Sequence, residues 1–395
     1  MMTQTILAVL FATGAQTTDR FEIRRMDGEP QLSVIQGILV DGTLTFADGE
    51  KQAGGTWYTL RREGVPYPAE MRAPHAELAN GDRIQGTIAS ADGDAVLFRL
   101  ALPGVEQIIR LPLSAIRVIW TTRQPASDPK WLQGSRKRDV IQTRSGDQIL
   151  GAITSIDPSK NLLAYQVEGK DQSLNFTKLA AIAFNTELAR VRKPKGLHYR
   201  LTMANGSRMS VLSITYDGKE WTAETLFKEK IRVPGPQVIA IDVEQGKVSW
   251  LADVTPAKYQ SRVEGTEPTP LAVNRCVTGD FLRLRSAAGE ETFDRGIGLQ
   301  SECSVTYSLA EKYRRFEALA GLDAKSGVRG DAILVVLVDG KEQTLPLAGK
   351  LTLASGPIVV RVDLTQAKEL TIVVKQGNGG TVQDHVNLVE ARLVP

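Results

Sequence analysis

A turn-and-strand phrase recurs along the first 245 residues and limits that stretch to short, sharply bent strands. One copy reads Ala79-Asn80-Gly81-Asp82-Arg83-Ile84-Gln85-Gly86-Thr87-Ile88, followed by Ala95 to Leu100 and Leu113 to Ile119. A second reads Arg144-Ser145-Gly146-Asp147-Gln148-Ile149-Leu150-Gly151-Ala152-Ile153, followed by Asn161 to Val167 and Leu179 to Phe184. A third runs from Ala204-Asn205-Gly206 to Leu212 and closes at Val238 to Ile241. A degenerate copy spans Phe21 to Arg62, with Asp27-Gly28 at its turn and Trp57 to Leu60 at its end. Asn-Gly, Ser-Gly and Asp-Gly supply the positive φ of tight turns between alternating strands. The second glycine, Gly86 or Gly151, falls inside a strand, where it marks a bulge or a bend. Five short strands bent in this way close a small barrel without exposed edges. The expected units are 18–64, 71–122, 137–189 and 197–246.

From Phe21 to Glu244 the pattern resembles Sm-like and SH3-like barrels. That resemblance raises RNA binding, since Asp157-Pro158-Ser159-Lys160-Asn161-Leu162 is similar to the Sm family's Asp-x-x-x-Asn base-binding turn. The stretch Leu78 to Leu100, however, has no Asn at the matching place after Asp92. The family's Arg-Gly after the fourth strand is missing from Leu179-Ala180-Ala181-Ile182, so base contacts would be incomplete. Asp157 and Asn161 are expected to shape a turn instead. Two linkers carry basic residues: Arg136-Lys137-Arg138 ends Thr121 to Arg138, and Arg190, Arg192, Lys193 and Lys195 lie between Arg190 and Gly196. They read as solvated linkers or as contacts to a polyanion. Neither interleaves aromatic residues with the bases. The net charge of +3, from 48 basic and 45 acidic residues, gives no general attraction to nucleic acid.

A chain of 395 residues exceeds one ordinary domain, and 42% hydrophobic with 24% charged residues is a folded composition. Ile6 to Ala12 is apolar and is followed by Thr13-Gly14-Ala15-Gln16, the form of a signal peptide at residues 1–15 cleaved after Ala15. The segment before it lacks Lys and Arg, and an ordinary first strand or a frayed terminus is the alternative. No other segment approaches the ~20 apolar residues of a membrane span. A periplasmic or secreted protein is therefore expected. Export would permit a disulfide between the two cysteines, Cys276 and Cys303; two buried thiols are the alternative. His75, His198 and His385 are far apart, and no Cys/His cluster has zinc spacing.

From Val248 the texture changes to many short strands, including a hairpin from Ala332 to Val338 with Asp339-Gly340 at its tip. The order of motifs resembles the NPCBM carbohydrate-binding-module family. The matching pieces include Trp250-Leu251-Ala252-Asp253, Phe293-Asp294-Arg295-Gly296-Ile297-Gly298, Tyr313-Arg314-Arg315-Phe316-Glu317 and Gly321-Leu322-Asp323. Arg329-Gly330, Val338-Asp339-Gly340 and Asp384-His385-Val386-Asn387 to Leu393 complete the series. The resemblance implies a galactose-binding-like jelly-roll sandwich over 248–395 that binds a glycan. Gln300 departs from the family, which usually has His at that place. Candidate ligand-binding residues are Asp384, His385, Arg295, Gln300, Asp323 and Arg329, on loops where groups for sugar hydroxyls collect. Each has a structural alternative. Asp384 would form an Asx turn after Gly379-Gly380, Arg295 and Asp323 would pair or cap loops, and His385 would be half-buried. By analogy with other jelly-roll loops, a Ca²⁺ site near Asp323 or Asp384 is the one cofactor considered.

No HExxH, GxSxG, complete P-loop or dinucleotide fingerprint is present. The expectation is an all-β, non-catalytic glycan binder of the cell envelope or exterior, with the barrels as spacers or interaction modules. A structural or adhesive envelope protein with protein partners is the first rival, and RNA binding through the barrels the second.

Overall fold

Asn80-Gly81 shows how the recurring phrase builds structure. Gly81 takes φ 88°, and Asn80 Oδ1 accepts from the Asp82 amide at 3.1 Å, so the chain reverses and His75–Leu78 pairs antiparallel with Arg83–Asp92. In the computed structural model, residues 20–68, 71, 74–125, 128–187, 194–261 and 269–395 are described. The leader expected at 1–15 and the linker cations Arg190, Arg192 and Lys193 lie outside them.

Arg83–Asp92 pairs with His75–Leu78 up to Gln85 and with Ala95–Leu100 from Gly86 onward. One strand thus serves two ladders and turns at Gly86, where a β-carbon would overlap the Arg99 carbonyl and the Phe98 ring. Gly151 is pressed against the Gln166 carbonyl in the same way. A register shift follows each bend, at Ile88/Ser90 and at Ile153/Ser155. The five strands between 75 and 120 lie in the spatial order fifth, first, second, third, fourth. The order is the same for the strands of 20–62, 139–183 and 198–244.

These four units join in a nested manner. The fifth strands of the first and fourth units pair through Leu60↔Ile241, and those of the second and third through Ile119↔Ile182. Their second strands touch as well, at Ile38↔Tyr216 and Ala91↔Ile156, and Arg83↔Arg208 ties the second unit to the fourth. One hydrophobic cluster runs through all four. The first linker is packed, not solvated, around Arg136. Leu132 is buried beside Trp120, and Arg136 is itself buried with its guanidinium donating to the carbonyls of Leu132, Arg117 and Phe184. That cation is unavailable to a polyanion; Lys137 and Arg138 remain exposed.

Within 249–394 the described strands form two antiparallel sheets face to face. The first contains Ala272–Val273, Gly296–Gln300, His385–Val394, Arg315–Leu322 and Ile358–Asp363 in that order. The second contains Lys258–Ser261, Cys303–Ser308, Glu369–Gln376, Asp331–Val338 and Lys341–Glu342. Strand alternation sends Phe316, Ala318, Ala320 and Leu322 into the core with Val305, Tyr307, Leu334 and Ile372. The expected hairpin tip is present, with φ of 49° at Asp339 and 78° at Gly340, both positive as a tight two-residue turn requires. The expected disulfide is absent. Cys303 faces the core between the sheets, whereas Cys276 packs with Leu282, Leu284 and Phe293 in a separate cluster, and both are buried free thiols.

That second cluster covers the outer face of the first sheet. It holds the hairpin Leu282–Ser286/Gly289–Phe293, Val389 of the sheet, and Tyr67 and Ala240 of the N-terminal part. The N-terminal units therefore lie directly on the sandwich.

Candidate functional site

At one end of the sandwich, strand register sets Gln300 opposite His385. Asp384, next to it, is fully buried, and its carboxylate accepts from Ser301 Oγ at 2.9 Å and the Asp331 amide at 3.0 Å. Burial pushes its carboxyl up, against the pull of those hydrogen bonds. Asp331 in turn accepts from the amides of Asn378 at 2.7 Å and Gly379 at 3.1 Å. The two aspartates thus fold the loop before the last strand. Gln300 Nε2 donates to the Thr381 carbonyl at 2.9 Å, pinning the same loop. Gly327 and Gly330 lie so close to Gln383 that neither has room for a side chain, which brings Arg329 to this end. Arg329 is exposed between the loops, beside Val328 and near Val382, which are 96% and 65% exposed.

Asp323 lies behind this surface. It is buried and accepts from Asn387 Nδ2 at 2.7 Å and the Lys325 amide at 2.9 Å. Arg295 is at the opposite end of its strand and pairs not with Asp323 but with Asp253 at 3.1 Å and Glu244 at 3.2 Å. Of the six predicted residues, Gln300, His385 and Arg329 share the loop end with Asp384 beneath them; Asp323 and Arg295 serve elsewhere. Among the described residues no group of three or more His, Cys, Asp or Glu is gathered for a metal ion. The carboxylates of Asp323 and Asp384 are turned to N–H and O–H donors inside the fold, so they do not fit calcium coordination.

The junction with the N-terminal units is built from buried charge. Asp294, of the Phe293-Asp294-Arg295-Gly296 motif, meets Arg83 of the second unit and Arg200 and Arg208 of the fourth, the last two at 3.0 and 2.9 Å. Burial pushes its carboxyl up, but the three guanidinium groups overcome this and hold it far below the usual carboxylate range. Glu317 accepts from Tyr58 Oη at 2.5 Å, and Glu291 from Arg61 at 2.6 Å and the Tyr67 amide at 2.7 Å. Arg392 is 1% exposed and reaches Thr59, Glu390 and Asp242. Sequence reading missed this junction. Its trace was the run His198–Met203, where Arg200 sits among residues that are all buried.

Beside the junction lies a cleft of about 490 Å³, walled by the second and fourth units, by Gln124, Asp128 and Gln133, and by the sandwich loop Asn274–Phe281. Phe281 is half-buried there, with the guanidinium carbons of Arg83 and Arg275 4.2 and 4.6 Å from its ring centroid.

The turn at Asp157–Asn161 is occupied by its own geometry. Asp157 Oδ1 accepts from Ser159 Oγ at 2.5 Å and the Lys160 amide at 3.2 Å, while Asn161, at φ 55°, accepts from the Thr177 amide at 3.1 Å.

Residues 247–394 match the NPCBM/NEW2 domain family. Comparison with curated proteins finds no match. Among solved structures, the CBM51 module from Clostridium perfringens GH95 in complex with methyl-galactose is 21% identical, with a TM-score of 0.34, over 37% of this chain and 99% of that one. The CBM51-2 and INT domains of Clostridium perfringens ZmpB, in complex with GlcNAc, are also 21% identical with a TM-score of 0.34. That match covers 45% of this chain, which spans 38% of the other. The tandem CBM51 modules of the family 98 glycoside hydrolase from Streptococcus pneumoniae match at 12% identity and a TM-score of 0.34, over 81% and 88% of the two chains.

Proposed function

We propose that this chain is an exported, non-catalytic glycan-binding protein of the cell envelope or exterior, with the C-terminal sandwich as its binding module. The match of residues 247–394 to the NPCBM/NEW2 domain carries the reading, because carbohydrate is the ligand that family resemblance implies. The contact surface is the loop end, where Arg329 and His385 offer groups for sugar hydroxyls and Val328 offers apolar surface. Asp384 and Asp323 hold the loops that present them, a role for fixed hydrogen bonds and not for proton transfer. The four N-terminal units are small Sm- or SH3-like barrels in this reading, supported by their common strand order and bent second strands. They form a platform under the sandwich. Export rests on the apolar leader, and a mature chain beginning at Gln16 is expected.

A glycan array probed with the full chain tests the proposal. Binding of at least one oligosaccharide, weakened about tenfold or more by Arg329→Ala and His385→Ala, is expected. A wild-type chain that retains no glycan sinks it. The exposed pair Val328 and Val382 favours one rival, a protein-binding loop end, which that negative result would promote.

A further inference from the structure

We infer that the cleft between the N-terminal units and the sandwich is a second binding site, for a carboxylate-bearing oligosaccharide that pairs with Arg275. The ligand class rests on the carbohydrate reading above; the site and its charge preference rest on the cleft itself.

At about 490 Å³ the cleft lies within the about 300–1,000 Å³ typical of small-ligand sites. Apart from Phe281, its walls are largely polar. Asn80, Gln124, Gln133 and Asn274 carry amides that both donate and accept, and the remaining wall groups are largely guanidinium and carboxylate. Sugar hydroxyls satisfy such a mixture because each can donate to one wall group and accept from another. An apolar ligand would strand these groups without partners.

The charges decide what kind of saccharide fits. Every carboxylate of the lining already has a cation. Glu77 and Asp128 are held by Arg117, Asp280 by Arg283 and Lys325, and Asp294 by Arg83, Arg200 and Arg208. Three of the four lining arginines are likewise matched to acids, Arg295 by Glu244 and Asp253. Arg275 is different. It is exposed at the mouth, donates to the Asn274 carbonyl at 3.1 Å, lies over Phe281, and has no carboxylate partner among the described residues. A ligand carboxylate at Arg275 completes the one ion pair left open among the described lining residues and faces no unneutralised acid among them.

The walls are also preorganised. Arg83 and Arg200 are fixed by Asp294, and Arg83 and Arg275 both lie over the Phe281 ring, so little ordering remains to be done on binding. The site exists only where both halves of the chain meet, which gives the N-terminal units a direct part in recognition.

The test is calorimetric titration of the full chain with trigalacturonate, a glucuronate-containing trisaccharide, and neutral galactotriose. Binding of at least one acidic probe, falling as salt is raised, is expected. Arg275→Ala should weaken it tenfold or more, with partial rescue by Arg275→Lys, while the exposed Lys170→Ala in the third unit changes nothing. Unchanged melting of Arg275→Ala confirms that the variant is folded. Failure of both acidic probes, equal affinity for galactotriose, or indifference to Arg275→Ala each overturns the inference. If the array finds neutral glycans while the acidic probes fail here, the cleft proposal falls and the loop-end reading stands.

Discussion

Replacing Asp294 by Asn removes one negative charge from among three arginines and keeps the side chain's shape. The side chains of Arg83, Arg200 and Arg208 are only 8, 10 and 4% exposed, so water cannot take over the carboxylate's role. Deleting one partner of a buried ion pair costs about 3–5 kcal/mol, because the remaining charges stay desolvated. Here mutual repulsion among the arginines adds to that cost, while the retained carbonyl of Asn returns part of it. A loss of about 3–5 kcal/mol is therefore expected at the junction. At 1.4 kcal/mol per tenfold, this is about two to three and a half decades of faster exchange. Native-state hydrogen exchange followed by mass spectrometry reads it directly, in peptides covering Leu282–Phe293 and His198–Met203. Strands inside the sandwich core, such as Glu369–Gln376, should change far less. The effect should persist at high salt, since buried pairs are poorly screened. As a control, Glu29→Gln breaks an ion pair to Arg361 in which Glu29 is 80% exposed, and should cost at most about 1 kcal/mol. Exchange at the junction changed by less than tenfold in Asp294→Asn would refute the claim that this cluster joins the two halves.

Three further outcomes follow from the same geometry. Asp294, with its depressed pKa, contributes stability that is complete above the unfolded carboxylate value near about 3.9 and disappears only as pH falls through its much lower folded value. Asp242 and Glu390 are pushed up by burial, so their contribution is complete below the unfolded values and is lost as pH rises through the folded ones. Junction protection should thus increase from pH 7 towards about 4 and collapse only in stronger acid; Asp242→Asn should lessen the increase and leave the share of Glu390, and a steady decline from neutrality would contradict it. Gly86→Ala and Gly151→Ala should each cost about 1–3 kcal/mol in urea unfolding, since a β-carbon has no room at either bend; wild-type stability would show that the bends can relax. Cys276 and Cys303 should react with thiol reagents only after unfolding, and reductant should leave the melting temperature unchanged; a disulfide found in the mature protein would overturn the separation of their two clusters.

Local geometry was legible in the sequence, and what the elements pack against was not. Asn80-Gly81, Gly86, Gly151 and Asp339-Gly340 announced turns and bends because backbone conformation at a glycine is decided by its own few neighbours. The sandwich was legible by a different route, from the spacing of its short strands and from the ordered motifs between Trp250 and Leu393 that resemble the NPCBM family. The roles of Asp384 and Asp323 were half legible: a loop position was foreseen, but whether a carboxylate faces solvent or an amide depends on the chain that folds over it. The junction was hidden. Glu317 and Arg392 look like charged residues on a solvated strand face, since alternation tells inside from outside and is silent about a second layer. Arg295 shows the cost of that silence, pairing with Glu244 and Asp253 instead of Asp323.

The nested joining of the N-terminal units sets an order of events during synthesis. Thr121 of the second unit meets Leu179 of the third across 58 residues, whereas Thr59 of the first unit meets Asp242 of the fourth across 183. At about 5–20 residues per second, the inner pair can assemble within about 3–12 s of its first half emerging, and the outer pair only after about 9–37 s. Through that interval the strand Trp57–Arg62 carries an open hydrogen-bonding edge, the kind that recruits foreign strands. A ribosome pausing between the third and fourth units would lengthen the exposure, and a truncated chain ending there would keep it permanently. The inner pair can thus be complete well before the outer one, and the outermost strands are the last whose partners become available.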